Sequence, residues 1–230
     1  MSETAADTAT DEQATIYTAY EIDFMLTLRP TENGEITREQ VGLRSAPEAA
    51  REFVTAAVTS GLRARGKVER SDDGQWLLGE EGQVVATALT AADRWLGIAL
   101  AEGEAMRMAF VIKANEAVLM LTQDELDSFV VSALPDPSQV PDSVADIVTA
   151  FLDDGRERTV SLRRTDISER AAEAPMMFHV EESGDWKIGH LPLDDNGILH
   201  VSDVGREDIG AAIRRLWEDG TSEAPAVPTV

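Results

Sequence analysis

The sequence predicts an α+β fold in which two pseudo-symmetric halves form mainly antiparallel sheets with packed helices. Short apolar runs rich in Val, Ile and Leu are separated by turns of hairpin length, a pattern typical of antiparallel strands. Between the groups of runs, apolar residues recur at helical spacing. The order of helix, strand group and amphipathic helix occurs twice, which predicts two similar halves related by a pseudo-twofold axis.

The N-terminal half is assigned to residues 16–135 and follows an acidic segment, residues 1–15, that is predicted to be a disordered tail. Its first element, residues 16–29, has two interpretations. Alternating apolar residues and a high β-branched and aromatic content favour a strand in its second half, whereas an apolar stripe at helical spacing would fit a helix. Residues 30–34 are predicted to form a turn.

An amphipathic helix is predicted next, over residues 46–65. Ser45 and Glu48 have the spacing of a capping box, and Gly66 suits the left-handed position after the last turn. The apolar face of this helix consists of Ala50, Phe53, Val54, Ala57, Val58 and Leu62. A short helix over residues 82–92 follows.

The most regular pattern of the chain runs from Trp95 to Leu134. Three strands are predicted from apolar runs, at residues 95–101, 106–114 and 117–121. Thr122 and Glu125 then have the spacing of a capping box, so a helix is predicted over residues 123–134, before Pro135. The apolar face of this helix would consist of Leu126, Phe129, Val130 and Leu134.

The C-terminal half is assigned to residues 136–219, after a proline-rich stretch, and residues 220–230 are assigned to a tail. It begins with an amphipathic helix over residues 142–153, capped by Asp142 or Ser143. Short strands are predicted after it, at residues 159–164, 176–180, 186–191 and 197–201. An amphipathic helix over residues 206–218 closes this half and would be the equivalent of the helix at 123–134.

The charge balance narrows the classes of partner. With 43 acidic and 20 basic residues the net charge is −23, which argues against a surface for nucleic acid or an anionic membrane. The acidity fits a solvated surface that resists aggregation, adaptation to high salt, or a partner with a basic face. The chain has no cysteine, its N-terminus lacks the pattern of a signal peptide, and no apolar run approaches the ~20 residues of a membrane span. A cytoplasmic location is therefore expected.

The three histidines, His179, His190 and His200, are the main candidates for chemistry. Each lies in a predicted strand of the C-terminal half, so strand pairing could bring two of them together, with Asp194 or Asp195 as an oxygen ligand for a metal. However, none has a partner at the spacing of a metal site. No nucleophile elbow or phosphate-binding glycine motif is present either. We therefore expect no catalytic residues, no cofactor and no metal ligands.

Methionines mark a surface that could bind another protein. Met106, Met108 and Met120 lie in the central predicted strands, and Met176 and Met177 lie in a later one. Methionine lines adaptable recognition surfaces, but it more often fills cores, and a core position is the favoured interpretation for these residues. An exposed sheet edge could accept an added strand or helix. The partner is expected on an exposed face beside the stretch from Trp95 to Leu134, although the sequence does not assign individual partner-binding residues.

The order of motifs resembles the EspG-type chaperones of mycobacterial and related actinobacterial type VII secretion. The segments that carry the resemblance are Gly61 to Val68 (GLRARGKV), Gly74 to Leu77 (GQWL), Ala88 to Leu96 (ALTAADRWL) and Glu116 to Leu121 (EAVLML). The last of these runs into the predicted helix from Leu126 to Leu134 and its terminal Pro135. The layout is shared over residues 48–217 and the motifs over residues 48–135. The resemblance implies a cytosolic, non-enzymatic protein that binds the aggregation-prone helical tip of a secretion substrate pair and delivers it for export.

The expected function is therefore that of a non-enzymatic cytosolic binding protein, a chaperone or adaptor for a partner protein such as a type VII secretion substrate. Two alternatives remain open. The protein could be a small-molecule-binding protein or enzyme that uses His179, His190 or His200. It could also be a structural or regulatory homodimer, with a sheet edge or the closing helix as its interface.

Overall fold

The computed structural model describes residues 15–124, 127–155, 157–169 and 174–223, and it confirms the α+β class. Within these residues, nine strands form an antiparallel sheet and two more form a small hairpin sheet. The strands are β1 (Thr15–Thr18), β2 (Val68–Arg70), β3 (Trp76–Leu78), β4 (Arg94–Glu102), β5 (Ala105–Ala114), β6 (Ala117–Gln123), β7 (Ser128–Leu134), β8 (Arg158–Asp166), β9 (Ala174–Val180), β10 (Trp186–Leu193) and β11 (Leu199–Asp203). The helices are α1 (Ala19–Leu28), α2 (Glu32–Val41), α3 (Arg51–Ala64), α4 (Glu80–Thr90), α5 (Val140–Asp153) and α6 (Ile209–Asp219).

The large sheet consists of two meanders joined at its centre. Its strand order is β1-β7-β6-β5-β4-β8-β9-β10-β11. Strands β4 and β8 pair along their whole length, from Arg94 opposite Asp166 to Glu102 opposite Arg158, so each meander starts in the middle of the sheet and runs outward. After its last strand, each meander continues through a short 3₁₀ turn into α5 or α6. This arrangement relates the two halves by an approximate twofold axis at the centre of the β4–β8 pair.

The helix predicted over residues 123–134 is wrong, because most of this segment is a strand. Strand β7 pairs with β6 on one side and with β1 on the other. Its backbone groups find partners in both neighbours, and its aromatic and β-branched residues suit a pleated surface. Glu125 and Leu126, which the helix prediction used, lie outside the described residues. The helix equivalent to α6 is therefore α5.

The strand favoured for the second half of residues 16–29 is also wrong. The extended part ends at Thr18, and α1 begins at the next residue with a true capping box. The backbone N–H of Glu21 donates to the Thr18 hydroxyl (3.2 Å), and the Thr18 N–H donates to the Glu21 carboxylate (2.9 Å). The turn predicted at residues 30–34 contains the start of α2 instead, where the Thr31 hydroxyl accepts the N–H of Gly34 (3.0 Å).

The helix predicted over residues 46–65 is present, but its start and its buried face differ. A 3₁₀ turn at Glu48–Ala50 precedes α3, and Ser45 donates to Asp23 (3.3 Å) instead of capping the helix. Of the predicted apolar face, Val58 and Leu62 are buried, whereas Phe53 is 78% exposed. The left-handed position of Gly66 is confirmed, with φ at 69°.

The elements predicted for the C-terminal half are confirmed, with small shifts in their ends. Strands β8 to β11 match the four predicted strands, and α6 matches the closing helix. Helix α5 begins at Val140, before the predicted cap, because its first apolar residues are buried against the sheet. Among the described residues, no helix combines the length and apolar character needed to cross a membrane.

The sheet has a hydrophobic core on each face. Helices α1, α2 and α4 pack over β4 to β7 on one face, with α3 packed against α1. The large buried side chains of this core include Trp95, Phe110 and Phe129. Helices α5 and α6 cover the other face at the centre of the sheet. This second core includes Leu96, Ile98, Leu162, Phe178 and Trp217.

An arginine closes each end of the β4–β8 pair. Arg94 forms an ion pair with Asp166 (2.6 Å) and donates to a carbonyl in the last turn of α6. Arg158 forms an ion pair with Glu102 (2.7 Å) and donates to a carbonyl in the last turn of α5. A cation at a helix C-terminus satisfies carbonyl groups that have no partner within the helix. The approximate twofold axis therefore relates side-chain contacts as well as strands.

Candidate functional site

An apolar groove runs between α4 and the adjoining ends of β5, β6 and β7. Its cavity measures about 580 Å³. A neighbouring cavity of about 180 Å³ shares Val84, Leu119 and Ala133 with it, so the two form a continuous depression. The apolar residues that line the larger cavity are Val84, Ala88, Ala91, Ala114, Ala117, Val118, Leu119, Ala133 and Leu134. We call this depression the apolar groove.

Helix α4 forms one wall of the groove because it carries two adjacent apolar stripes. One stripe, which includes Val85 and Leu89, is buried against the sheet. The second stripe consists of Val84, Ala88 and Ala91, at positions i, i+4 and i+7, and it faces the cavity. Val84 is 59% exposed. Ala88 is buried and Ala91 is half-buried, so Val84 supplies the apolar surface of this stripe that is accessible to a partner.

Carboxylates surround the mouth of the groove. Glu80 and Glu116 line the larger cavity, and Glu81 lines the smaller one. Glu81 accepts hydrogen bonds from Lys67 and Thr15. Its partial burial acts to raise the pKa of the carboxyl, but these hydrogen bonds and the charge of Lys67 outweigh it and lower the pKa. Because Lys67 balances the charge of Glu81, the negative charge of the mouth comes from Glu80 and Glu116.

Tyr17 lies below this mouth and holds its edge in place. Its side chain is fully buried, and its hydroxyl donates to the Glu81 carboxylate (3.3 Å). Burial raises the pKa of the phenol, and the negative charge of Glu81 raises it further. The phenol therefore stays protonated and remains a donor at physiological pH. The groove thus combines an apolar floor with a fixed carboxylate at one end.

The composition of the groove suits binding more than catalysis. The residues that line its larger cavity include no histidine, serine, lysine or arginine. Its one hydroxyl group, on Thr87, accepts a hydrogen bond from Arg29 (2.6 Å). Apolar walls with a charged mouth are typical of surfaces that accept an amphipathic helix. Among the described residues, no cluster of three or more His, Cys, Asp or Glu side chains could hold a metal ion.

The structure brings two of the three histidines together. His190 and His200 are opposite each other on β10 and β11, with ring centroids 5.3 Å apart. His190 is buried, and its ring nitrogens lie close to the Leu191 carbonyl (2.6 Å) and the Ser202 hydroxyl (3.2 Å). His200 is exposed. Because both ring nitrogens of His190 already have polar neighbours, the pair does not present an open ligand set.

The other members of the predicted metal set lie apart from this pair. His179 on β9 contacts the Thr159 hydroxyl (2.9 Å). Asp194 lies in the turn between β10 and β11 and accepts the backbone N–H groups of Ile198 and Asn196 (both 2.8 Å). These bonds lower the pKa of the Asp194 carboxyl. Asp194 therefore stabilises the turn. In the part of the chain that the structure describes, the lining of the apolar groove contains no histidine.

The predicted methionine surface is divided between the two faces of the sheet. Met176 is buried in the core under α5 and α6, and Met120 packs against the same core. Met106 is 65% exposed and Met108 is half-buried. Met108 lines a cavity of about 340 Å³ on the opposite face, near the centre of the sheet. The methionines therefore do not form a single recognition surface.

The apolar groove lies beside the stretch from Trp95 to Leu134, where a partner was expected from the sequence. The prediction of a short helix over residues 82–92 did not identify Val84 or the second stripe of α4 as binding residues. The sequence does contain a pattern that could have identified this stripe. Val84, Ala88 and Ala91 recur at helical spacing, one position before the buried stripe of Val85 and Leu89. No protein-family model matches this chain, and no curated protein matches it.

Proposed function

We propose that this protein is a non-enzymatic chaperone or adaptor that holds an apolar helical segment of a partner protein in the apolar groove. The observation that carries the proposal is the second apolar stripe of α4, whose Val84 is left exposed beside the apolar lining of the groove. A helix with apolar residues at i, i+3, i+4 and i+7 would bury that stripe and its own apolar face together. Such burial shields an aggregation-prone segment from other chains.

The charge of the groove indicates the flanks of the partner segment. Glu80 and Glu116 lie at the mouth, and the protein as a whole carries −23. A segment with Lys or Arg beside its apolar face would be attracted, and a segment with acidic flanks would be repelled. The expected ligand is therefore an amphipathic helix with basic flanks.

The resemblance to EspG-type chaperones supports a more specific proposal. The segments that carry it include the last residues of α4 and most of β6, both of which line the groove. The segment before Pro135, where the resemblance implies a helix, is strand β7. We infer that the partner is a helical pair of type VII secretion substrates and that binding takes place in the cytoplasm. The resemblance supports this substrate class, whereas the groove supports the chemistry of binding.

Binding of a defined peptide tests the groove. The probe is a fluorescent amphipathic helical peptide with Leu and Ala on one face and Lys at both ends, and its control has Glu at both ends. We expect the Lys-ended peptide to bind more tightly and Val84→Lys to weaken it by more than about tenfold. Met106→Lys makes the same change at an equally exposed apolar site and should leave binding unchanged. Equal binding by wild type and Val84→Lys would overturn the groove as the site.

Recovery of partners from the native host tests the substrate class. Tagged wild type and Met106→Lys should both recover a small helical secretion pair identifiable by mass spectrometry, and Val84→Lys should not. Recovery of the tagged protein alone by wild type would count against the chaperone function. Recovery of the pair by all three proteins would support the substrate class but would show that the pair binds outside the apolar groove.

A further inference from the structure

The first half of α3 exposes an apolar face that the fold does not use. Phe53, at 78%, is the most exposed large apolar side chain among the described residues. Ala50, Phe53, Val54 and Ala57 form one stripe at helical spacing, and Phe53 and Ala57 are exposed while the other two are half-buried. We call these four residues the α3 stripe. Val54 packs against the core of its own chain, whereas Phe53 and Ala57 are exposed. The apolar character of these two exposed positions therefore needs another explanation.

A cleft lies directly beside the stripe, between α3 and α1. It measures about 420 Å³ and is lined by aromatic and aliphatic side chains, which include Tyr20, Phe24, Val54 and Val58. Its polar lining consists of Asp23, Thr27, Ser45, Arg51 and Thr55. Asp23 pairs with Arg38 (2.6 Å) and accepts from Ser45 (3.3 Å), the Thr27 hydroxyl donates to a backbone carbonyl (2.6 Å), and Arg51 is exposed. The cleft therefore offers room for one aromatic side chain against Phe24, Val54 and Val58, and its carboxylate keeps its own partners.

We propose that the α3 stripe and this cleft form the interface with a second copy of the chain. A protruding Phe53 and an apolar cleft on neighbouring sides of one helix make the surface self-complementary. If two copies pack α3 antiparallel across a twofold axis, each Phe53 enters the cleft of the other copy. Ala50 and Ala57 are small enough to let the two helices approach closely. This geometry closes at two chains and leaves both grooves accessible.

The local charge permits this contact although the whole chain is strongly acidic. Around the start of α3, Arg44 and Arg51 balance Glu48 and Glu52, all of them exposed. The net charge of the chain is −23, so most of its surface repels a second copy. A patch without net charge is where that repulsion is weakest, and an arginine of one copy can pair with a glutamate of the other.

The same reasoning separates this surface from the apolar groove. The groove has carboxylates at its mouth and would repel the acidic surface of a second copy, so it suits a basic partner. The α3 stripe is neutral and carries its own complementary cleft. The proposed dimer is therefore independent of the proposed chaperone function, and a failure of either proposal leaves the other untouched.

Sedimentation velocity over a concentration series, with light scattering, tests the dimer. We expect wild type to show a concentration-dependent dimer and Phe53→Glu to raise its dissociation constant by more than about a hundredfold, because two like charges would be buried at the interface. Val84→Glu and Met106→Glu add the same charge at other exposed apolar sites and should keep the dimer. A monomeric wild type, or a dimer that survives Phe53→Glu, overturns the proposal. Because Phe53 is largely exposed, its substitution should not affect folding.

Cross-linking gives a second test that does not depend on charge. The chain has no cysteine, so Ala57→Cys introduces a single thiol on the α3 stripe. A bifunctional maleimide reagent should then link two copies through residue 57, and the yield should fall when Phe53→Glu is added. Ala105→Cys places a thiol at an exposed position on β5 and should give no linked dimer. Equal yields from positions 57 and 105 would overturn the interface.

Discussion

The two ends of the central strand pair use the same chemistry in different surroundings. At the α6 end, Asp166 accepts from Arg94 and Arg164 (both 2.6 Å), and the three side chains are between 7% and 21% exposed. At the α5 end, Glu102 pairs with Arg158 (2.7 Å), but the Glu102 side chain is 51% exposed. The two ends are therefore related in having an arginine–carboxylate ion pair, but they differ in how far that pair is buried.

The aromatic residues at the two ends differ in the same way. Trp217, in the last turn of α6, is 5% exposed and lies under the Arg94 guanidinium, 5.1 Å from it. Phe151, near the end of α5, is half-buried under Arg158 at 5.0 Å. Where a cluster is exposed to solvent, water can replace a hydrogen-bond partner that a mutation removes, whereas water has little access to a buried cluster. The α6 end should therefore contribute more to stability than the α5 end.

The largest expected effect comes from removing the aromatic residue at each end. Trp217→Ala should lower the free energy of unfolding by about 4 kcal/mol, because it leaves a cavity beside buried arginines. Phe151→Ala should cost about 1–2 kcal/mol, because its ring is already partly exposed. Urea unfolding followed by circular dichroism measures both losses. Equal losses of stability would contradict the difference in burial between the α5 and α6 ends of the β4–β8 pair.

Removing the acid at each end tests the electrostatic part of the difference. Asp166→Ala should lower the free energy of unfolding by about 3 kcal/mol, because two arginines lose their shared partner where water has little access. Glu102→Ala should stay within about 1 kcal/mol of wild type, because the Glu102 side chain is half-exposed and Arg158 keeps Asp154 as a second partner (2.8 Å). The same unfolding assay applies, and Asp166→Asn distinguishes charge from side-chain size. If Asp166→Ala is no worse than Glu102→Ala, the closed cluster does not stabilise the fold.

The element order of the C-terminal half could be predicted from sequence, because its hairpins are formed by neighbouring segments. The N-terminal half shows where such prediction fails. Thr18 and Glu21 form a real capping box, whereas the equally spaced Thr122 and Glu125 precede a strand. Spacing alone cannot separate these cases. The segment around Phe129 becomes a strand because it pairs with β6 and with β1, more than a hundred residues earlier in the chain.

The apolar groove was predictable only in its general location. The apolar runs over residues 95–134 predicted strands with an exposed face beside them, but the groove also requires the second stripe of α4. Whether Val84 is buried or exposed depends on how α4 is rotated about its axis against the sheet. The spacing of apolar residues along α4 does not determine this rotation. For the α3 stripe, the reverse is true, because its residues were identified from the sequence but their exposure was not. Its periodicity was clear from the sequence, and burial in its own core was the inference that failed for Phe53.

The smallest expected effect concerns the contact that joins the two equivalent helices. Arg206, in the 3₁₀ turn before α6, donates to both carboxylate oxygens of Asp153 in the last turn of α5 (2.9 and 3.1 Å). These hydrogen bonds lower the pKa of the Asp153 carboxyl below its ordinary value of 3.8. The stabilisation is then fully present above pH 3.8 and is lost as the pH falls through the lower pKa of the folded state.

Asp153→Asn should therefore be slightly less stable than wild type at pH 7, and the difference should shrink as the pH falls below 3.8. Because both side chains of the pair are exposed, the loss should be smaller than that of Asp166→Ala. Asp146→Asn removes the same charge from the exposed face of α5 and measures the effect of reduced overall repulsion in a chain of −23. Chemical unfolding at several pH values compares the three proteins. If the gap between Asp153→Asn and Asp146→Asn were constant from pH 7 to pH 3, the Asp153 carboxylate would not stabilise the junction between α5 and α6.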